Sequence, residues 1–207
     1  MAKRVCPWWL GYLLASRIRR LSQDPAKILS PYVREGMTVL EPGPGMGFFT
    51  LELARLVGPS GRVVAVDVQA RMIAGLKRRL AKAGVLERVD ARVAAPDSLG
   101  VADLAGSADF ALAFAVVHEL PAMNAFFEEL AEALKPGANL LLVEPKGHVN
   151  AEEFDTELQA AAQAGLQPFL RRAAQGEHQL ADRRLRRRRL RQIGQSRLRG
   201  QQGQIRG

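Results

Sequence analysis

The part of this 207-residue chain best suited to holding a small ligand is the run Glu41-Pro42-Gly43-Pro44-Gly45-Met46-Gly47. Glycines at alternate positions let the backbone turn tightly and approach a ligand with no side chain between, and a helix opening behind them offers free N–H groups. The spacing separates this turn from two others of similar composition. A dinucleotide-binding turn would place its third glycine at position 48, which is Phe48, and a P-loop would need Gly-Lys followed by Ser or Thr, which is absent. Further along, Val63-Val64-Ala65-Val66-Asp67 closes an apolar run with a carboxylate. At the end of a parallel strand such an acid accepts hydrogen bonds from ribose hydroxyls, so a nucleoside is implied. Asp67 would also serve as a helix N-cap, and the two roles are compatible. A third group is His118, after Phe114-Ala115-Val116-Val117 and before Glu119. Its titration range suits removal of a proton from an oxygen or nitrogen nucleophile at neutral pH. The bland alternative is that His118 and Glu119 cap or pack the helix that follows.

These groups act together only if the chain brings them to one edge. Short apolar runs over 38–41, 62–68, 88–94, 109–116 and 138–143 read as strands, and amphipathic stretches over 48–57, 69–83, 122–134 and 151–164 read as helices between and after them. Asp24 and Pro25 look like the N-cap and first position of a short helix through Leu29. Strands that are apolar throughout and alternate with helices predict an α/β fold, a doubly wound, Rossmann-like, mostly parallel sheet covered on both faces. Ligands of such sheets sit outside the carboxyl ends of the strands, where Gly43, Gly45, Gly47, Asp67 and His118 all fall.

Composition sets the frame. With 47% hydrophobic and 25% charged residues the chain can bury a core, and a lone Cys6 excludes an intrachain disulfide scaffold and a multi-cysteine zinc site. No metal site is expected, and no apolar stretch reaches the roughly 20 residues of a membrane span. Cytoplasmic work fits both observations. The charge of +9 is unevenly placed: residues 1–170 hold 18 Lys and Arg against 19 Asp and Glu, whereas residues 171–207 hold 12 Arg against Glu177 and Asp182. Three regions follow, an amphipathic, aromatic segment over 1–24, a folded domain over 25–170 and an Arg/Gln/Gly-rich tail over 171–207. The tail is expected to be disordered or a frayed basic helix. Clustered arginines neutralise phosphates whatever the sequence, so nucleic acid is a possible partner of the tail.

The stretches VLEPGPGMGFFTLELARL and VVAVDVQ, with AAPDSLG, DFALAFAVVHEL and LKPGANLLLVEP, resemble the motifs of class I S-adenosylmethionine-dependent methyltransferases over about residues 25–165. The resemblance implies methyl transfer from S-adenosyl-L-methionine. By it, Glu41, Gly43 and Gly45 would hold the methionine part of the cofactor and Asp67 the ribose, with Gly47 completing the glycine turn. Val68 and Met72 would pack on adenine, although Met72 also fits a core position, and Asp97 would take the adenine amino group. His118 would lie next to the transferred methyl. There is no Asp/Asn-Pro-Pro-Tyr/Phe run after the fourth strand, which speaks against the amino-methyltransferases of DNA. The lone cysteine disfavours a thiol-rich arsenite enzyme or a cysteine-nucleophile C5-methyltransferase. A small-molecule acceptor is the leading expectation, with an RNA-associated methyltransferase or a cofactor-binding module that works through its tail as the alternative. Trp8, Trp9 and Tyr12 could form a lid over the cofactor or pack on the sheet.

One departure stands out. The family usually ends in an antiparallel two-strand hairpin, and after 166–170 no apolar alternation remains for the last strand. The sheet is therefore expected to lack a complete hairpin, and the chain beyond about Phe169 to be something other than the family's native ending. A shifted reading frame in a GC-rich gene would produce such an arginine-rich run.

Overall fold

The computed structural model describes residues 23–145, 147–168 and 180–187. The predicted alternation is present. In chain order the elements are α1 (Pro25–Leu29), β1 (Thr38–Pro42), α2 (Thr50–Leu56), β2 (Arg62–Asp67), α3 (Ala70–Lys82), β3 (Val89–Val93), β4 (Ala108–Phe114), α4 (Met123–Ala133), β5 (Leu134–Pro145), α5 (Ala151–Gln163), β6 (Leu166–Pro168) and β7 (Leu180–Arg187). The sheet order is β3-β2-β1-β4-β5-β7-β6. The first five strands run parallel, and β7 pairs antiparallel with both β5 and β6.

The core lies in two layers because each central strand is apolar on both faces. Leu40, Val64, Leu140 and Leu142 pack toward α4 and α5 with Phe127, Leu130 and Phe154, while Val39, Val63, Phe110 and Leu141 join Leu53, Ile73, Leu76 and Leu80 on the other side. Local chemistry sets several boundaries. Asp24 caps α1 by accepting from the Ala26 N–H, with Pro25 at the first turn as expected. Asn150 and Glu153 form a reciprocal capping box at the start of α5. Gly84 follows α3 with a left-handed φ of 68°, the conformation that stops the helix there.

The expectation of an incomplete hairpin is corrected at the far edge. β7 runs along β5 from Asn139↔Arg186 to Pro145↔Leu180, and the short β6 pairs with its other side from Leu166↔Arg187 to Pro168↔Leu185. The expected disorder of the tail is wrong for 180–187. Strand pairing is made by main-chain N–H and C=O groups, and the free edge of β5 offers a full row of them. Side-chain alternation is therefore dispensable for β7. The remaining tail residues and the 1–22 segment, with its proposed aromatic lid, lie outside the described residues.

Candidate active site

β1 sits between β2 and β4, so the chain winds outward in opposite directions from this point and leaves a crevice at the strand ends. A cavity of about 460 Å³ occupies it, within the range of small-molecule sites. Glu41, Gly43, Gly45, Asp67, Val68, Met72, Asp97 and His118 all line this one cavity.

The glycine turn is held by its backbone. The Gly43 N–H donates to the Val66 carbonyl at 2.9 Å, and Gly47 N–H to that of Pro44 at 2.9 Å. Gly43, Gly45 and Gly47 have φ of 67°, 54° and 83°, which L side chains adopt at a cost. The three differ in what surrounds them. A Cβ on Gly43 would lie 2.6 Å from Val116 Cγ2, whereas one on Gly45 would enter open space. Gly47 does not reach the cavity: its place is against α3, where a Cβ would lie 2.4 Å from Leu76 Cδ1. The assignment of Gly47 to the ligand is thereby corrected to helix packing. Gly43→Ala is expected to reduce affinity for a ligand of this cavity at least tenfold, on the scale of one badly placed methyl group. Val116→Ala should restore part of that loss. Calorimetry on the two single variants and the pair checks the coupling, since additive losses would show that Val116 is not the obstacle.

Glu41, next to last in β1, has only 3% of its surface exposed. Its Oε2 has no hydrogen-bond partner among the described residues. Burial pushes the Glu41 carboxyl up from 4.5 to about 8, the nearby Thr50 hydroxyl opposing this and the charge of Asp67 adding to it. An unsatisfied carboxyl at the wall of a cavity fits a ligand that brings its own cationic donor. Asp67 accepts the Gln69 N–H on Oδ1 at 2.8 Å and the Gly45 N–H on Oδ2 at 3.3 Å. It thus ties the glycine turn to β2, a supporting role that the sequence did not show. The N-cap position of α3 belongs to Gln69. Burial also holds the Asp67 carboxyl above its ordinary value, against those two N–H groups and with the charge of Glu119.

Met72 is buried and Val68 is 38% exposed, and both form the apolar wall beside Asp67. Met72 is thus a buried residue that also lines the cavity. Asp97 is exposed at the rim. The segment after it is pinned from α4, where the Glu129 carboxylate accepts the N–H groups of Leu99 and Gly100 at 3.0 and 3.1 Å. Glu129 is a second support that local sequence reading missed.

His118 lines the same cavity from a turn over Val117–Glu119. Its Nδ1 is 2.6 Å from Oε2 of Glu144, a fully buried residue near the end of β5. The hydrogen bond to Glu144 raises the His118 pKa above 6.5; partial burial opposes, and the charges of Glu144, Glu119 and Glu157 reinforce it. A signal for Glu144 existed, a charged residue closing the apolar run Leu140-Leu141-Leu142-Val143.

The sequence profile described as "Methyltransferase domain" matches residues 33–185, and the chain belongs to that family. The fold and the site define it further as a domain of the S-adenosylmethionine-dependent class. The match extends through most of β7, so the family's pattern does not end near Phe169 as the arginine-rich composition suggested. Over 107 residues, 52% of this chain and 27% of the relative, it is 33% identical to the arsenite methyltransferase of Halobacterium salinarum. Over 112 residues, 54% of this chain and 41% of the relative, it is 30% identical to the ubiquinone/menaquinone biosynthesis C-methyltransferase of Pasteurella multocida. The chain therefore spans less than half the length of these two relatives. Among solved structures, an S-adenosylmethionine-dependent methyltransferase from Aquifex aeolicus superposes with a TM-score of 0.76 at 25% identity, covering 88% of this chain and 99% of that one.

Proposed function

We propose that this chain transfers a methyl group from S-adenosyl-L-methionine to a small-molecule acceptor. The observation that carries the reading is the convergence of Glu41, the Gly43–Gly45 turn, Asp67 and His118 on one cavity. The bound cofactor supplies an electrophilic methyl on a sulfonium sulfur that leaves as a neutral thioether. Glu41, whose Oε2 is unpartnered, would hold the amino group of the methionine part, the Gly43 and Gly45 backbone would hold the rest of that part, and Asp67 would accept from the ribose hydroxyls. Val68 and Met72 would pack on adenine, and Asp97 would take the adenine amino group. The carboxylates around the cavity, Glu41, Asp67 and Glu119, suit a cationic ligand. His118 takes the proton of the acceptor. Enclosure of the reacting groups supplies the rest through orientation and exclusion of water.

Small acceptors are favoured by the size of the cavity, about 460 Å³. The single cysteine, Cys6, supports an acceptor other than arsenite despite the arsenite relative. No helix among the described residues is long and apolar enough to cross a membrane. Calorimetry tests the cofactor reading: wild type should bind S-adenosyl-L-methionine and its demethylated product, and Asp67→Ala should bind both about tenfold or more weakly. A folded wild type that binds neither would end the proposal. Unchanged affinity in the variant would remove Asp67 from the ribose. Mass spectrometry of a metabolite extract, incubated with the protein and methyl-labelled cofactor, then identifies the acceptor.

A further inference from the structure

Glu144 is a carboxylate with none of its surface exposed and no Lys or Arg bonded to it among the described residues. A buried carboxylate in that position has to be compensated, and the partners it uses are instructive. Oε1 accepts the Val117 N–H at 2.8 Å, and Oε2 lies 2.6 Å from Nδ1 of His118. Both oxygens are thus committed to consecutive residues of the segment that follows β4. That segment is constrained again just upstream, where Ala115 has a left-handed φ of 55° and donates its N–H to the Val143 carbonyl at 2.7 Å. A non-glycine residue in that conformation is held there by its surroundings. β5 therefore dictates both the path of the segment and the plane of the imidazole.

The protonation pattern follows. Nδ1 and Oε2 at 2.6 Å share one hydrogen, and with Oε1 already accepting the Val117 N–H the geometry has His118 donating it from Nδ1. Neutral His118 then carries its hydrogen on Nδ1. Its Nε2 is 3.9 Å from Oε1 of Glu119, beyond hydrogen-bond reach, and His118 lines the cavity. Glu119 on the same turn, His148 with its ring centroid 5.5 Å away, and Glu157 on α5 complete the titratable surroundings.

We propose that Glu144 is the positioning residue of the acceptor side, holding the His118 imidazole with Nδ1–H turned into the sheet and Nε2 left as the proton acceptor. This rests on the reading of His118 as the base. It narrows the acceptor class to molecules whose methyl-accepting atom carries a proton of its own, a hydroxyl or an N–H. That proton would pass to Nε2, the electron pair freed on oxygen or nitrogen would form the new bond to the methyl carbon as the sulfur–methyl bond breaks and its pair leaves with a neutral thioether, and the imidazolium would later return the proton to water. Acceptors without such a proton gain nothing from the arrangement.

Long-range ¹H–¹⁵N correlation spectra of protein labelled at histidine nitrogens, recorded through a pH titration, test the positioning without an acceptor. In wild type, neutral His118 should show a protonated Nδ1 and an unprotonated Nε2, with its midpoint above 6.5. Glu144→Gln can still accept from Val117 N–H but presents an amide N–H to Nδ1, so the hydrogen should move to Nε2 and the midpoint should fall. The analogous tautomer inversion disables a serine-protease triad by about ten-thousandfold. A wild-type His118 with its neutral hydrogen on Nε2 overturns the proposal even if the variant fails to fold, and so does an unchanged tautomer and midpoint in a folded Glu144→Gln. The reading beneath fails separately. If His118→Gln transfers labelled methyl groups to the acceptor within a fewfold of wild type, His118 is not the base, whatever its tautomer.

Discussion

His118→Gln is expected to lower turnover by about a hundredfold or more while leaving affinity for the cofactor within twofold, the scale of losing a general base. The split between the two readouts matters because His118 lines the same cavity as Glu41 and Asp67. Glutamine fills much of the same space and can still pair with Glu144, so the variant removes the proton acceptor and keeps the packing. The pH dependence carries a sign. A base works when neutral, and the bond to Glu144 holds the His118 pKa above its ordinary 6.5. Wild-type activity should therefore climb with pH along a limb whose midpoint lies above 6.5, and the limb should vanish in His118→Gln. Turnover within a fewfold of wild type, with the limb intact, would return His118 to a structural role.

What could be read in advance depended on whether the physical requirement is local. The glycine turn declares itself because a left-handed backbone at Gly43 and Gly45 needs glycine wherever the chain goes next. Asp67 and His118 were legible for a similar reason: Asp67 closes the apolar strand β2, His118 comes shortly after the apolar strand β4, and strand ends of a parallel sheet share one edge. A charge closing the run Leu140-Leu141-Leu142-Val143 marks Glu144, but what Glu144 and Glu129 hold was hidden because their partners lie 26 and 30 residues away. Gly47 shows the converse error. The same residue type at the same spacing serves α3 packing, since a Cβ at Gly47 would run into Leu76 and Gly47 is outside the cavity lining. β7 escaped because its pairing with β5 is made by main-chain groups that no side-chain pattern records.

Glu41→Gln is expected to weaken the cofactor by about a hundredfold near pH 8 and to make the free protein more stable at alkaline pH. Both follow from one buried carboxyl. Its pKa is raised from 4.5 to about 8 in the folded chain, so between those values the folded state holds a proton that the unfolded state has released. Stability from this group is complete below 4.5, is lost as pH rises toward 8, and stays lost above it. Glutamine cannot ionise. At pH 5 the variant and wild type should melt together, whereas at pH 9 the variant should melt on the order of 10 °C higher, given roughly 2–4 °C per kcal/mol for a chain of this size. Binding runs the other way, because the amino group of the methionine part needs Glu41 ionised. At pH 7 the wild type should therefore release close to one proton on binding, seen as a dependence of the calorimetric heat on buffer ionisation enthalpy. Its affinity should rise from pH 6 toward 8, then fall as the ligand's amino group, with an ordinary pKa near 8, loses its own proton. Glu41→Gln should release none and lack the rising limb. Identical melting of the two proteins at pH 9, or proton-free binding by wild type, would mean that Glu41 is already ionised in the empty cavity and that its unpartnered oxygen is met by solvent.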